Sequence, residues 1–319
     1  MKLSSFGQKL TSGSGIIELM EDLGSALNEN PEMIFMGGGN PARIPEMEAV
    51  INSQYQKLAQ DNEQLYSTTG VYQSPQGELG YRRDIASMLK TQFGWSLSED
   101  NIAVSNGSQS AFYILFNLLA GQMPDGSVKS IHLPLTPEYI GYNDLGLSEA
   151  FFTATKPEIE LIGERQFKYH VNFDELKLSE ETAALCLSRP TNPTANVLTD
   201  TEIKHLDNIA QQADIPLIID GAYGVPFPNI NFVDVTPHWN NNTILVLSLS
   251  KLGLPGVRTG IIVANPEIIQ AFSNANTVIN LASCNMGPAL TRDLFSSSEI
   301  VELSQQVVKP FYQQRSQQV

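Results

Sequence analysis

The sequence has 319 residues, 42% of them hydrophobic, which is enough to bury a substantial core in one large domain or two. Its formal net charge of −15 disfavours nucleic acid and anionic membrane surfaces as partners, because an acidic surface repels phosphate groups. The N-terminus lacks the apolar segment of a secretory signal, and no run of about 18 apolar residues follows, so we expect a cytoplasmic protein without membrane spans.

Apolar runs bounded by turn residues predict six buried β-strands. They are residues 101–105, 130–133, 183–188, 216–220, 243–248 and 260–264. Helical patterns lie between them, at residues 108–120 and at residues 201–213, where a Thr-Asp-Thr-Glu capping signature begins the helix. Strands that alternate with helices predict an α/β fold, a three-layer sandwich around a mostly parallel mixed sheet.

The two cysteines, Cys186 and Cys284, show neither metal-ligand spacing nor a disulfide framework. We therefore expect two reduced, buried thiols and no metal site.

Polar clusters follow four of the predicted strands, at the point where each strand ends. They are residues 106–109, 189–193, 220–223 and 248–251. Ligands of open α/β sheets bind outside the carboxyl ends of the strands. The sequence therefore predicts a ligand site where these four clusters meet.

Lys251 stands at the end of the fifth predicted strand, in the segment Ser-Leu-Ser-Lys. Burial there would favour the neutral amine, which can form a Schiff base with an aldehyde. Ser248, Ser250 and Arg258 add hydroxyl and guanidinium donors suited to a phosphate. A lone lysine in a loop is usually a surface residue, and it is these neighbours that favour the functional interpretation.

Asp220 follows an apolar run, where a carboxylate is costly to bury unless it meets a cation. The protonated ring nitrogen of pyridoxal 5′-phosphate (PLP) is such a cation, and keeping it protonated makes the ring an electron sink. Tyr223 and Asn192 are placed to reach the phenolic oxygen of that ring. A helix cap at Asp220 and a turn at Asn192 are the structural alternatives.

Gly107, Ser108 and Gln109 lie where a strand turns into a helix, and the helix N-terminus favours an anion. An ordinary turn and cap would have the same sequence. Tyr139 follows the second strand, where its ring would either stack on a cofactor or pack in a loop.

These clusters, in this order, resemble the class I and II aminotransferases of fold type I. The stretch with Tyr66, Gly70, Gly77 and Arg82 or Arg83 also resembles the family's sequence. Within the family, residues 36–47, 136–142, 166–171 and 309–315 are most similar to the bacterial branch that transaminates valine and pyruvate.

The resemblance implies the PLP-dependent transferase large domain and roles for the residues above. Lys251 would bind PLP and move the α-proton, Asp220 would pair with the ring nitrogen, and Tyr139 would stack on the ring. The phosphate would be held by Ser108, Gln109, Ser248, Ser250 and Arg258. Tyr66 would reach the phosphate of the neighbouring subunit in a homodimer, and Gly39 and Asn192 would lie near the substrate.

The resemblance also implies a domain organisation. Residues 1–45 would form an N-terminal segment with part of an α+β small domain, and residues 46–298 the large PLP-binding domain. Residues 299–319 would begin the helix that leads to the rest of the small domain. Family members are longer, so the small domain is expected to be incomplete. No residue here is assigned to the arginine that binds the substrate carboxylate.

Ala195 departs from the family pattern, because the corresponding turn usually has glycine there. If this position needs a positive φ, alanine is strained by about 1 kcal/mol.

The implied activity is transfer of an amino group between an aliphatic L-amino acid, valine or alanine, and a 2-oxo acid, pyruvate or 3-methyl-2-oxobutanoate. Another PLP reaction on the same scaffold, β-elimination or decarboxylation, shares the same carbanion and stays open. A chain that binds PLP without turning it over is a further alternative.

Overall fold

The computed structural model describes residues 1–30, 32 and 39–318 of the chain. Residues 36–38, part of the segment similar to the valine branch, lie outside this range. Eleven α-helices are present in the described part of the chain. They are α1 Ser5–Thr11, α2 Gly15–Glu29, α3 Pro45–Gln60, α4 Asn62–Gly70, α5 Leu79–Phe93, α6 Ser108–Leu119, α7 Asp200–Gln212, α8 Pro266–Asn280, α9 Met286–Ser296, α10 Glu299–Leu303 and α11 Lys309–Ser316.

The main sheet has eight strands, and a separate hairpin has two. The strands are β1 Ile102–Ser105, β2 Gly121–Gln122, β3 Val128–Leu133, β4 Phe152–Ala154, β5 Glu158–Ile162, β6 Gln166–His170, β7 Thr182–Ser188, β8 Leu217–Asp220, β9 Thr243–Ser248 and β10 Gly260–Val263. The order in the main sheet is β1-β10-β9-β8-β7-β3-β2, with β4 also paired to β3. All six predicted strands are present.

Strands β3, β4, β7, β8 and β9 run parallel, and β10 lies antiparallel between β9 and β1. The mostly parallel mixed sheet is therefore confirmed. Because β1 runs in the same direction as β9, the carboxyl ends of the parallel strands and of β1 meet at one edge.

Helices cover both faces of this sheet, which gives the three layers expected. Successive strand residues point to opposite faces, so Leu185 and Leu187 of β7 join one hydrophobic core while Ala184 and Cys186 join the other. Apolar side chains of α3, α5, α7, α9 and α10 complete the first core, and those of α6 and α8 complete the second.

Helix α7 shows how local sequence sets an element's start. Thr199 caps the helix by accepting from the backbone N–H of Glu202, and the Glu202 carboxylate accepts from the backbone N–H of Thr199. This reciprocal capping box confirms the predicted start to within two residues.

Two findings differ from the sequence interpretation. The β5–β6 hairpin was not predicted, because the strand prediction rested on continuous apolar runs, whereas these largely exposed strands alternate apolar and polar residues. Cys186 is buried as expected, but Cys284 is exposed, since it lies in the loop between α8 and α9. No helix in the described ranges is long and apolar enough to cross a membrane.

Candidate active site

A cavity of about 650 Å³ opens at the carboxyl edge of the sheet. Residues from all four predicted polar clusters line it, among them Ser108, Asn192, Asp220 and Lys251. The strand ends thus bring together side chains that are as much as 143 residues apart in sequence. The predicted meeting of the four clusters is confirmed.

Lys251 lies in a 3-10 turn directly after β9. Its Nζ donates a hydrogen bond to the carbonyl oxygen of Gly39 and lies 5.1 Å from the centroid of the Tyr223 ring. Burial lowers the pKa of the Lys251 amine, and the negative charge of Asp220 opposes that shift. The site therefore increases the fraction of neutral amine, which is the nucleophilic form.

Asp220 ends β8 and is buried, with 8% of its surface exposed. Its Oδ2 accepts a 2.6 Å hydrogen bond from the hydroxyl of Tyr142, and its Oδ1 accepts one of 2.9 Å from the backbone N–H of Ala222. Burial raises the pKa of Asp220, while these two donors and the Lys251 charge lower it. The contact with Ala222 is the capping geometry considered above, but a turn rather than a helix follows.

A second carboxyl group, Glu138, stands behind Asp220. Its Oε1 accepts a 2.8 Å hydrogen bond from the backbone N–H of Ser188, and its Oε2 lies 2.5 Å from Ser188 Oγ. Ser188 Oγ in turn lies 3.3 Å from the hydroxyl of Tyr142. Burial, together with the charge of Asp220, raises the pKa of Glu138 to about 7.

The sequence analysis assigned no role to Tyr142, Ser188 or Glu138. The sequence offered a signal for Ser188, because it ends β7 as Asp220 ends β8, and the two residues are partners in the sheet register. The remaining contacts depend on the path of the loop after β3.

The N-terminus of α6 and Arg258 also border the cavity, and we call this part its anion end. Gly107 has a φ of +88°, and no side chain caps the helix. A Cβ on Gly107 would overlap the guanidinium group of Arg258, so the absence of a side chain lets Arg258 lie against this turn. Arg258 Nη1 also lies 3.4 Å from Ser250 Oγ. Free backbone N–H groups beside a guanidinium form a site for a dianion.

Gln109 and Ser248 line the same cavity but have partners within the protein. Gln109 Nε2 donates to the carbonyl oxygen of Gly141 at 3.0 Å, and Ser248 Oγ accepts from the backbone N–H of Ser250 at 3.1 Å. In this structure both residues hold the loops that shape the anion end.

Tyr139, Asn192 and Tyr223 also line the cavity. Burial raises the pKa of both phenols, that of Tyr223 to about 12, and the charge of Asp220 acts in the same direction. Both hydroxyls therefore stay protonated at neutral pH and can act as donors.

Gly39 and Tyr66 differ in their positions. Gly39 lines the cavity beside Lys251. Tyr66 lies on α4, outside the cavity, with 64% of its surface exposed. This chain alone therefore does not bring Tyr66 to the other site residues.

Helix α2 adds an apolar wall that the sequence analysis missed. Ile16, Leu19 and Met20 line the same cavity as the polar strand ends. Their spacing of three and four residues is typical of one helix face, so the pattern was available in the sequence, though not its partner.

Comparisons with known proteins agree with this geometry. The family described as aminotransferase class I and II matches residues 40–319. The chain belongs to the class I and II aminotransferases. It is 50% identical to the valine–pyruvate aminotransferase of Escherichia coli K12, in an alignment that covers 100% of this chain and 76% of that protein.

Solved structures of aminotransferases superpose on this chain. A putative amino-acid aminotransferase from Psychrobacter arcticum 273-4 gives a TM-score of 0.95 at 44% identity, covering 99% of this chain and 76% of its own. The valine–pyruvate aminotransferase of Salmonella typhimurium LT2 gives 0.85 at 47% identity, covering 95% and 74%. The chain thus spans about three quarters of the length of these relatives.

Aminotransferases of this family depend on PLP, and the cavity fits that cofactor. The buried carboxylate of Asp220 suits a protonated ring nitrogen, and the Lys251 amine suits an aldehyde. The uncapped N-terminus of α6 suits a phosphate.

Proposed function

We propose that this aminotransferase moves an amino group between an aliphatic L-amino acid, valine or alanine, and a 2-oxo acid, pyruvate or 3-methyl-2-oxobutanoate. The observation that carries the proposal is the placement of Lys251 and Asp220 in one cavity with apolar side chains of α2. The 50% identity to a valine–pyruvate aminotransferase supports the same substrates.

Bound PLP supplies a conjugated ring that takes up the negative charge formed at the substrate's α-carbon. In our proposal Asp220 holds the ring nitrogen in its protonated form through charge pairing. Lys251 binds the cofactor covalently and, once its amine is released, carries the α-proton. The depressed pKa of Lys251 suits both tasks.

The remaining residues position the cofactor. Tyr223 and Asn192 donate to the phenolic oxygen, and Tyr139 packs on the ring face. The phosphate is held by Ser108, Gln109, Ser248, Ser250 and Arg258, around the Gly107 turn. This division follows the charged groups that line the cavity, with the Asp220 carboxylate for the ring nitrogen and the Arg258 guanidinium and the α6 N-terminus for the phosphate.

Selectivity for an aliphatic substrate would come from α2. Ile16, Leu19 and Met20 give the cavity an apolar side, where a branched hydrocarbon is favoured over a carboxylate. The backbone of Gly39 lies beside the Lys251 amine, so it would lie close to the substrate.

A spectroscopic titration tests this function. PLP added to the purified chain should give the visible absorption of lysine-bound cofactor, and L-valine or L-alanine should convert it to the amino form. Lys251→Ala should abolish the visible band, whereas Lys177→Ala, at an exposed lysine, should leave it unchanged. A band that survives Lys251→Ala contradicts the assignment, and release of CO₂ or ammonia in place of the amino form indicates the alternative reactions.

We also propose a homodimer with shared active sites. Tyr66, Tyr72, Val278 and Leu281 are exposed apolar residues. The segments that carry them are joined by two hydrogen bonds, from Asn285 to the backbone carbonyl of Val71 and from Asn276 to that of Pro75. This surface continues to the anion end of the cavity, because Asn106 accepts from the backbone N–H of Cys284.

Mixing two variants that each lack one residue of the proposed shared site tests the dimer. A dimer of one Tyr66→Phe subunit and one Lys251→Ala subunit retains one site with both residues intact. Activity above that of either parent is expected, whereas a monomeric mass in sedimentation or no recovery contradicts the proposal.

A further inference from the structure

The four oxygen-bearing groups behind the cavity form an unbranched chain. Glu138 Oε2 lies 2.5 Å from Ser188 Oγ, Ser188 Oγ lies 3.3 Å from the hydroxyl of Tyr142, and that hydroxyl lies 2.6 Å from Asp220 Oδ2. Three contacts between oxygens need three protons if all are hydrogen bonds.

The two hydroxyls supply one proton each. If both carboxyl groups are ionised, Ser188 donates to Glu138 and Tyr142 donates to Asp220. The contact between Ser188 and Tyr142 then joins two oxygens with no proton between them. If Glu138 carries a proton, it donates to Ser188, Ser188 donates to Tyr142, and Tyr142 donates to Asp220. Each of the three contacts then contains one proton, and all three hydrogen bonds point from Glu138 towards Asp220.

The surroundings decide which carboxyl group is neutral. Asp220 accepts a second hydrogen bond from Ala222 and faces the Lys251 amine, so its anion is stabilised twice. Glu138 also accepts from backbone N–H groups, those of Ser188 at 2.8 Å and Tyr139 at 3.3 Å, but the charged group beside it is the Asp220 carboxylate rather than a cation. Two enclosed carboxylates in one cluster repel each other, and the one without a cation takes the proton.

We propose that Glu138 is a neutral carboxylic acid that donates through Ser188 and Tyr142 to Asp220, which is left as the carboxylate facing the cofactor ring. Glu138 is thus a positioning residue that acts through the two hydroxyls. The polarised Tyr142 hydroxyl lowers the proton affinity of Asp220, so a proton shared with a ring nitrogen rests on the nitrogen. This consequence rests on the proposed role of Asp220, but the protonation state of Glu138 does not.

Glu138→Gln imitates the neutral acid, because its amide nitrogen can donate to Ser188 Oγ while its oxygen still accepts from the Ser188 backbone. It gives up only the 3.3 Å contact between Oε2 and the backbone N–H of Tyr139. Glu138→Ala removes both contacts. Glu149→Gln, at an exposed glutamate, is the matched control.

Infrared spectroscopy of the chain without cofactor, at pH 6, tests the protonation state. The carbonyl band of a protonated carboxylic acid should be present in the wild type and in Glu149→Gln, and should be lost in Glu138→Gln. If the protonated-acid band is absent from the wild type, or is unchanged in Glu138→Gln, Glu138 is ionised, which overturns the proposal whether or not PLP binds.

The affinity for PLP tests the positioning role. The dissociation constant of Glu138→Gln should stay within about threefold of the wild type, while that of Glu138→Ala should rise about tenfold, because a chain of buried hydrogen bonds is broken. If Glu138→Ala does not fold, Tyr142→Phe interrupts the same chain one step nearer to Asp220 and should give a similar loss. If Glu138→Gln lost as much affinity for PLP as Glu138→Ala, the positioning role would be wrong. The same would hold if Tyr142→Phe kept native affinity.

Discussion

The hydroxyl of Tyr142 donates a 2.6 Å hydrogen bond to Asp220 Oδ2, although the two residues are 78 positions apart in sequence. Tyr142 is fully buried against the rings of Phe112 and Phe116, so its hydroxyl has a fixed direction. Together with the N–H of Ala222, it holds the Asp220 carboxylate before any cofactor is bound. The charge that is proposed to face PLP is therefore preorganised.

Tyr142→Phe should lower the free energy of unfolding by about 1 to 3 kcal/mol, because it removes a buried hydrogen bond to a charged group. Denaturant unfolding without cofactor measures this loss. Tyr113→Phe is the control, since the Tyr113 hydroxyl has no hydrogen-bond partner within the described residues. Equal losses in the two variants would show that the hydroxyl of Tyr142 contributes nothing specific.

Glu138 should make stability depend on pH. Its pKa is about 7 in the folded protein, against 4.5 for an unperturbed glutamate. Below pH 4.5 both states are protonated and Glu138 has no effect. As the pH rises to 7, the unfolded chain loses this proton while the folded chain retains it, so the free energy of unfolding falls, by up to roughly 3 kcal/mol.

Comparison with Glu138→Gln isolates this contribution, because Asp220 titrates in both proteins. The variant should become more stable relative to the wild type between pH 4.5 and 7, and the difference should be constant above that. Urea unfolding at several pH values measures it, and a difference that does not change with pH would contradict the raised pKa.

Much of the site followed from local sequence. Lys251 and Asp220 each end an apolar run, and the carboxyl ends of buried parallel strands meet at one edge, so the position of both was predictable from composition and order. The strands themselves were predictable because both of their faces are buried, which gives continuous apolar runs.

The contacts of Glu138 were not predictable in this way. Glu138 and Ser188 are 50 residues apart, and they meet only because the loop after β3 passes over the end of β7. No local pattern encodes that path. The apolar wall from α2 was missed for a similar reason, because periodicity shows that a helix has an apolar face but not which surface it covers.

Gly107→Ala should weaken PLP binding about tenfold or more. A Cβ there would overlap the guanidinium group of Arg258, so the phosphate-binding end would lose its shape as well as its unstrained backbone. Gly126→Ala is a matched control, because Gly126 has a φ of +89°, against +88° for Gly107, and nothing lies within 4 Å of its Cβ position. Each variant should lose about 1 to 3 kcal/mol of stability from backbone strain, but Gly126→Ala should keep native affinity. Equal affinities would show that Arg258 does not depend on this glycine.

Ala195→Gly should raise the free energy of unfolding by about 0.5 to 1 kcal/mol. The expected strain at this position is present in the structure, since Ala195 has a φ of +56°. A Cβ in the left-handed region costs about 1 to 2 kcal/mol, and the extra flexibility of glycine in the unfolded chain offsets part of the gain.

Ala150, with a φ of +48°, should respond in the same way, and the two gains should add because the residues lie in separate loops. Ala154→Gly, in the extended strand β4, provides the opposite control and should lose about 0.5 to 1 kcal/mol. Thermal or urea unfolding of the three variants would reject the strain argument if Ala195→Gly and Ala154→Gly changed stability in the same direction.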